Sequence, residues 1–321
     1  MTVSVFAPVS IGNLSVGFDT LGLALAPVDD SLLGDTVSVE ALTQTEIDNQ
    51  FELTGTHAHT LSQNRQDNIA WQCLLAFEAV LKTQNIPLKR LKLTLHKNIP
   101  VSSGLGSSAC SVVATLAALN EFYKNPMSDS ALLTLMGNLE AKISGSLHYD
   151  NVAPSFFGGL QLMVNDAVKI NQRLPFFEDC FWLIAYPDVV VSTKAAREIL
   201  PQNYPRKTLI EFGQNLAGFI DACHRQDRNA AFSLIKDVVA EPYRAGLLPN
   251  FENARNAMRE QDCLAVGISG SGPTLFCAVN DLTRAQNCQT WLQQNYLQSK
   301  LGFVQICKID TQGTRRVELL D

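Results

Sequence analysis

Residues 100–110, PVSSGLGSSAC, place Gly104 and Gly106 among four serines, just before an alanine-rich, largely apolar stretch to Leu119 that no proline or glycine breaks. Glycine lets a backbone bend sharply and approach a ligand closely. The first amides of a helix have no internal partner and carry the positive end of its dipole. A loop of this kind opening a helix grips a polyanion without any charged side chain, so 100–110 reads as a candidate triphosphate cradle. The plain alternative is a strand-to-helix corner in which glycines turn the chain and Ser107 or Ser108 caps. The stretch has neither the Gly-Lys-Ser/Thr of a Walker loop nor the spacing of a dinucleotide fingerprint.

Other residues of chemical interest lie far from this loop in sequence. Glu140 is flanked by Leu139, Ala141 and Ile143, which points an acid inward from a helix. The stretch 148–159, HYDNVAPSFFGG, carries His148, Asp150 and Asn151. An Asx-type turn before a strand explains its Asp-Asn pair and glycines, but not the histidine and proline. Asn13 and Asp19 sit in a glycine-containing loop, where Asp19 alone reads as a turn residue. Thr193 and Arg197 are one helical turn apart and share a face. Arg244 follows a proline-marked helix end; taken singly, both arginines read as surface charges. His57 and His59 form an H-x-H pair with no third ligand nearby and read as solvated.

Together these segments resemble the GHMP small-molecule kinases, the family of galactokinase, homoserine kinase, mevalonate kinase and phosphomevalonate kinase. P-x-x-x-G-L-G-S-S-A at 100–109 is similar to their nucleotide loop, A-P-x-S-x-x-N-x-x-x-G-F-D at 7–19 to their first motif, and G-x-S-G-S-G-P-T at 267–274 to their third. H-x-D-N-x-A-P at 148–154, with the segments around Arg197 and Arg244, resembles the homoserine kinase members.

The resemblance implies an α+β protein of two domains, with the active site in the cleft between them. Residues 1–165 would be the ATP-binding domain, of the ribosomal protein S5 domain 2 type, and 166–321 a ferredoxin-like domain. It implies ATP contacts from Asn68, Pro100, Val101, Ser102, Ser103, Gly104, Leu105, Gly106, Ser107, Ser108, Ala109 and Cys110, and Mg2+ held by Ser108 and Glu140. The substrate pocket would comprise Asn13, Asp19, His148, Asn151, Thr193, Arg197, Arg244 and Gly270. Glu140, Asp150 and Asn151 would be catalytic, with Asn151 rather than Asp150 orienting the acceptor hydroxyl. The implied reaction is phosphorylation of L-homoserine by ATP, a step toward threonine. Another kinase of the family and a non-catalytic nucleotide sensor of the same fold are the alternatives, and a homodimer is compatible with either.

At 321 residues and 46% hydrophobic content, the chain can bury the core of two domains. A net charge of −6 without a basic run argues against a nucleic-acid partner. The eight cysteines are scattered singly and read as buried hydrophobes in a reducing compartment. No apolar run reaches ~18 residues and no leader-like segment opens the chain, so a cytoplasmic protein without a membrane partner is expected.

Hydropathy patterning supplies the elements that must hold the site. Strands are expected at 2–8, 32–42, 51–54, 91–99, 159–164, 181–186 and around 264–279, with helices at 68–82, after the loop, and at 131–147. Helical patterns follow at 194–200, 208–226, 229–239 and 251–260. The irregular alternation in the second half suggests a sheet with helices on one face.

Overall fold

The computed structural model describes residues 2–43, 48–166 and 169–318. Its first half contains β1 (Thr2–Pro8), β2 (Ser10–Gly12), β3 (Leu21–Pro27), β4 (Gly34–Ala41), β5 (Gln50–Thr54), α1 (Ile69–Thr83), β6 (Leu91–His96), α2 (Ser107–Phe122), α3 (Asp129–Ser144), α4 (Val152–Phe157) and β7 (Leu160–Met163). The second half contains β8 (Asn171–Leu174), β9 (Phe181–Tyr186), α5 (Thr193–Glu198), α6 (Arg206–Arg225), α7 (Arg228–Ser233), α8 (Glu241–Arg244), α9 (Phe251–Glu260), β10 (Ala265–Ile268), β11 (Leu275–Val279), α10 (Leu282–Asn295), β12 (Phe303–Ile309) and β13 (Arg315–Arg316).

One sheet runs β13-β1-β4-β6-β5, antiparallel except for β5 and β6, which are parallel and joined through α1. Residues alternate between buried and half-exposed along β6, as its sequence predicts. The buried face packs on α1, α2 and α3 around Leu93, Phe77, Val113 and Leu133. Helix α2 is buried on nearly every side, from Ala109 to Phe122. That burial explains its apolar run with no polar stripe.

The second sheet runs β10-β11-β9-β12-β3-β7-β8, with β2 paired to β3. Its β9, β10, β11 and β12, with intervening helices, give the β-α-β-β-α-β order of a ferredoxin-like domain. β12 pairs with β3, so this sheet continues without a break into strands of the first half. Helices cover both faces rather than the one expected from sequence. The reason is the period of two on its central strands. Trp182 and Ile184 of β9 and Phe276 of β11 face α6 and α7, while Leu183, Ala185, Leu275 and Cys277 face α9 and α10. These strands are apolar at every position, which periodicity alone cannot tell from burial on one face.

The helix expected over 229–239 ends at Ser233. Downstream, the Asp237 carboxylate accepts the backbone N–H groups of Val239, Ala240 and Glu241 at 2.7–3.0 Å. A side chain that satisfies backbone donors in this way favours a turn over continued helix. Pro242 therefore lies in the first turn of α8 and does not end a helix, correcting the sequence reading of that proline.

A buried ion pair ties the first domain together beneath the glycine loop. Lys97 Nζ donates to Asp35 Oδ2 at 2.5 Å, to the Ser107 carbonyl at 2.8 Å and to Ser111 Oγ at 3.1 Å. Asp35 also accepts the backbone N–H groups of Asn98 and Ile99 and the hydroxyl of Ser111. Lys97 is 1% exposed and Asp35 fully buried. Removing one partner of such a pair strands the other charge, at a cost of about 3–5 kcal/mol. Asp35→Asn should therefore lower unfolding free energy by about that much in urea titrations, and adding Lys97→Met should recover part of the loss. A change below about 1 kcal/mol for Asp35→Asn would contradict this role.

Candidate active site

The loop between β6 and α2 is held by its backbone, not by side-chain caps. Gly104 and Gly106 adopt φ of +81° and +67°, and Gly106 is the α2 N-cap without a capping side chain. A Cβ on Gly104 would stand 2.6 Å from the Ser269 carbonyl, because the glycine turn between β10 and β11 docks here. Ser269 Oγ donates to the Gly104 carbonyl at 2.6 Å, and Thr274 donates to the Ser103 carbonyl through both its amide and its hydroxyl. The third motif thus clamps the first turn of the loop, as its glycines suggest.

Two adjoining cavities open on this loop. The more apolar one, about 400 Å3, is lined by Leu61, Asn68, Ile69, Val101, Ser107, Ser108 and Ile143, with Lys97 and Lys142. Asn68 caps α1 through Oδ1, and its buried Nδ2 has no partner, leaving a donor for a ligand edge. The polar one is lined by Gly104, Gly106 and Ser108 together with Asn13, Asp19, Glu140, His148, Asp150, Asn151, Thr193, Arg197, Arg244 and Gly270. Every residue expected in the acceptor pocket from sequence lines this second cavity.

The loop residues divide. Gly104, Gly106 and Ser108 line the polar cavity, and Val101, Ser107 and Ser108 the apolar one. Leu105, Ala109 and Cys110 turn into the core, and the fully buried Ser103 serves the clamp. The Ser107 hydroxyl is occupied by the Ile99 carbonyl at 3.2 Å.

Glu140 faces inward from α3 and is 6% exposed. Its Oε1 accepts the Ser108 hydroxyl at 2.5 Å, while Oε2 is buried without a partner. Burial pushes its pKa up, and the Ser108 hydrogen bond opposes this only in part. An orphaned carboxylate oxygen beside a hydroxyl and a phosphate-type loop is the oxygen donor set that Mg2+ favours, so these residues fit that ion. Asp19, His148 and Asp150 also lie within 4.8 Å of one another through ligand-type atoms. All three are already engaged: Asp19 with Arg197, and His148 and Asp150 with each other.

Charge pairs across the polar cavity. Arg197 on α5 meets Asp19 through two nitrogens at 2.8–3.0 Å. Arg244 is 3% exposed and donates to the Ala196 carbonyl at 2.9 Å and the Gly270 carbonyl at 3.1 Å. The Gly270 carbonyl also takes the Asn13 amide at 3.1 Å, and Asn13 Oδ1 holds the Asp19 backbone N–H. Asp150 Oδ1 binds His148 Nδ1 at 2.8 Å. Burial alone would lower the His148 pKa, but the hydrogen bond and charge of Asp150 outweigh it and hold the imidazole above its ordinary value. Asn151 Oδ1 accepts the Ser10 hydroxyl at 3.0 Å, which fixes the orientation of its amide.

Sequence reasoning missed Lys97, Asp35, Ser10, Phe18 and Gly12. Lys97 continues the buried phase of Leu91, Leu93 and Leu95, and Asp35 that of Val37 and Val39. The Thr36↔His96 register then sets the two opposite each other. Opposite charges on the buried phase of two strands were a readable signal. Phe18 lies 5.7 Å from the Arg197 guanidinium and 5.5 Å from that of Arg244, within cation–π range of both. A Cβ on Gly12 would meet Asp150 Oδ2 and Asn151 Nδ2 at 2.6 Å.

Because the folded state raises the Glu140 pKa, its contribution to stability is most favourable below the unfolded carboxylate range and is lost as pH rises through the folded value. Glu140→Gln should therefore raise the melting midpoint of the ligand-free protein at pH 7, with the gain shrinking toward pH 4. An unchanged or lower midpoint at pH 7 would show that the carboxylate is not under this strain.

Comparison with known proteins follows the same division. Residues 68–159 match the GHMP kinases N-terminal domain and residues 219–297 the GHMP kinases C-terminal domain, together more than half of the chain. The chain is similar to the crystal structure of homoserine kinase from Cytophaga hutchinsonii, with 28% identity over 98% of this chain and 97% of that one and a TM-score of 0.87. A Listeria monocytogenes protein provisionally assigned as a homoserine kinase is 22% identical over 99% and 100% of the two chains, with a TM-score of 0.71. A mevalonate kinase shares the fold at 15% identity, 97% and 100% coverage and a TM-score of 0.67. The matched domains, in their order and with the glycine loop between β6 and α2, establish that the chain belongs to the GHMP kinase family.

Proposed function

We propose that this kinase transfers the γ-phosphoryl group of ATP to the hydroxyl of L-homoserine, forming O-phospho-L-homoserine and ADP, a reaction on the way to threonine. One observation carries the reading. The cavity beside the glycine loop brings the Asp19 carboxylate together with two guanidinium groups, Arg197 and Arg244, while its other carboxylates, Glu140 and Asp150, are held by Ser108 and His148. A small zwitterion with a carboxylate and an ammonium complements that set. The similarity to the Cytophaga hutchinsonii homoserine kinase supports the same choice.

In this reading the apolar cavity takes the base and the α2 N-terminus takes the phosphates. Mg2+ held by Ser108 and Glu140 would neutralise phosphate charge. Phosphoryl transfer passes through a loose transition state, so positioning and charge stabilisation supply most of the catalysis. The acceptor oxygen attacks the γ-phosphorus, the bond to the bridging oxygen breaks and ADP departs with that electron pair. Asn151, fixed by Ser10, orients the hydroxyl. Asp150 is engaged by His148, which supports an orienting role and not that of the base. The hydroxyl proton then leaves to the transferred phosphoryl group or to solvent.

The reading is tested by ADP release with homoserine, mevalonate, galactose and shikimate. Homoserine alone should support turnover. Turnover with another acceptor would reassign the substrate, and none with any would favour a nucleotide sensor. Arg197→Lys keeps the charge but loses the fork. It should raise the homoserine KM at least ~10-fold, equivalent to about 1.4 kcal/mol, and leave the ATP KM nearly unchanged. Arg244→Lys should act alike, with the pair less than additive. Asp150→Asn should retain measurable turnover, since loss of a true base costs typically 10²–10⁴-fold. A fall within that range, with loss of the acidic limb of the pH–rate profile, would restore Asp150 as base.

A further inference from the structure

Three cysteines meet on the face of the second sheet away from the cavity. Cys263 follows the C-terminal turn of α9, Cys277 lies on β11 and Cys288 on α10. Cys263 Sγ stands 3.6 Å from Cys288 Sγ. Cys263 is partly exposed, whereas Cys277 and Cys288 are fully buried. We propose that Cys263 and Cys288 form a reversible dithiol–disulfide site, oxidised by low-molecular-weight disulfides of the glutathione class.

Geometry favours this pair. The Cys263 backbone N–H is fixed on the Met258 carbonyl at 3.1 Å, and Cys288 sits mid-helix, so neither sulfur is on a loose segment. A disulfide needs the sulfurs at about 2.05 Å, a movement within reach of side-chain rotation. Arg284, one turn before Cys288, donates to the Asp262 carbonyl beside Cys263 and keeps a cation close to both sulfurs.

The chemistry also separates Cys288 from the other cysteines, while hydrogen bonding to Cys288 and burial push the Cys263 and Cys277 thiols up. S–H donation from Cys263 and Cys277 to the Cys288 sulfur holds the Cys288 thiol below its ordinary value against the opposing effect of burial, with Arg284 adding to the depression. Elsewhere burial pushes thiols up, to about 11 at Cys180 and about 12 at Cys223, and higher still at Cys73, Cys110 and Cys307. Those five have a low thiolate fraction and no nearby resolving sulfur among the described contacts.

Oxidation proceeds in two exchanges. Cys288 starts as the thiolate, so Cys263, the accessible sulfur, passes its proton to it and attacks one sulfur of the reagent; the reagent's S–S bond breaks and one thiolate leaves. Cys288 then gives up its proton and attacks Cys263 Sγ, breaking the mixed disulfide and expelling the second thiolate. One leaving thiolate takes up the single proton the pair gives up, the other departs as the thiolate, and two electrons pass from the protein to the reagent. The new bond closes a ring around β10, β11 and the turn that carries Gly270.

The test uses the wild-type protein incubated with oxidised glutathione under native conditions, then quenched with acid and unfolded for thiol titration and for peptide mapping without reduction. Titratable thiols should fall from eight to six, with a Cys263–Cys288 cross-linked peptide that dithiothreitol releases. Cys263→Ser and Cys288→Ser, each checked for folding by circular dichroism, should form no such link, and Cys277→Ser should still form it. Retention of eight thiols, a stable glutathione adduct on Cys263 with Cys288 still free, or a link to Cys277 would each overturn the proposal.

Discussion

A lysine ammonium buried under the glycine loop is the constraint on which the rest of the site depends. Lys97 and Asp35 join the start of β4, the end of β6 and the first turn of α2 in one hydrogen-bonded knot. A cation near a helix N-terminus opposes the helix dipole, so Asp35 is needed to cancel it locally. With that cancellation the first turn of α2 presents its amides to the cavity at a fixed angle. The glycine turn after β10 then docks on the loop from the other side, through Ser269 and Thr274.

Under the proposed function, the second cavity would recognise a small zwitterion with charges that are largely paired in its absence. Asp19 and Arg197 satisfy each other at 2.8–3.0 Å, and Arg244 rests on two carbonyls. A ligand carrying both charges exchanges one set of pairings for another. The net gain in each pairing is therefore smaller than its geometry suggests, and discrimination rests on having both charges at the right separation. Phe18, between the two guanidinium groups, keeps their spacing.

Much of this was legible in the sequence because local chemistry decided it. The strand at 181–186 and the helix at 251–260 follow from unbroken patterns, and the glycine loop announces itself by residue type. Glu140 was readable from its apolar neighbours, although Ile143 beside it is itself exposed. What escaped was information carried between distant segments. The Asp35–Lys97 pair spans 62 positions, and its signal appears only when two strand phases are compared. The coverage of both faces of the second sheet was hidden because an all-apolar strand has no phase to read. The early end of α7 depends on Asp237 capping a turn, a choice that helical periodicity does not register.

The strand order has a further consequence for how the protein comes off the ribosome. β1 precedes the other described strands, yet one of its edges is paired by β13, and β3 waits for β12. Residues 2–27 therefore cannot complete their sheets until residues 303–316 have emerged. Until then the nascent chain carries two unpaired strand edges, each a template for the wrong neighbour. Long-range pairing of this kind slows folding, because a loop of nearly the whole chain must close before the contact is rewarded. The interval between synthesis of β1 and arrival of β13 is when this protein most needs a chaperone.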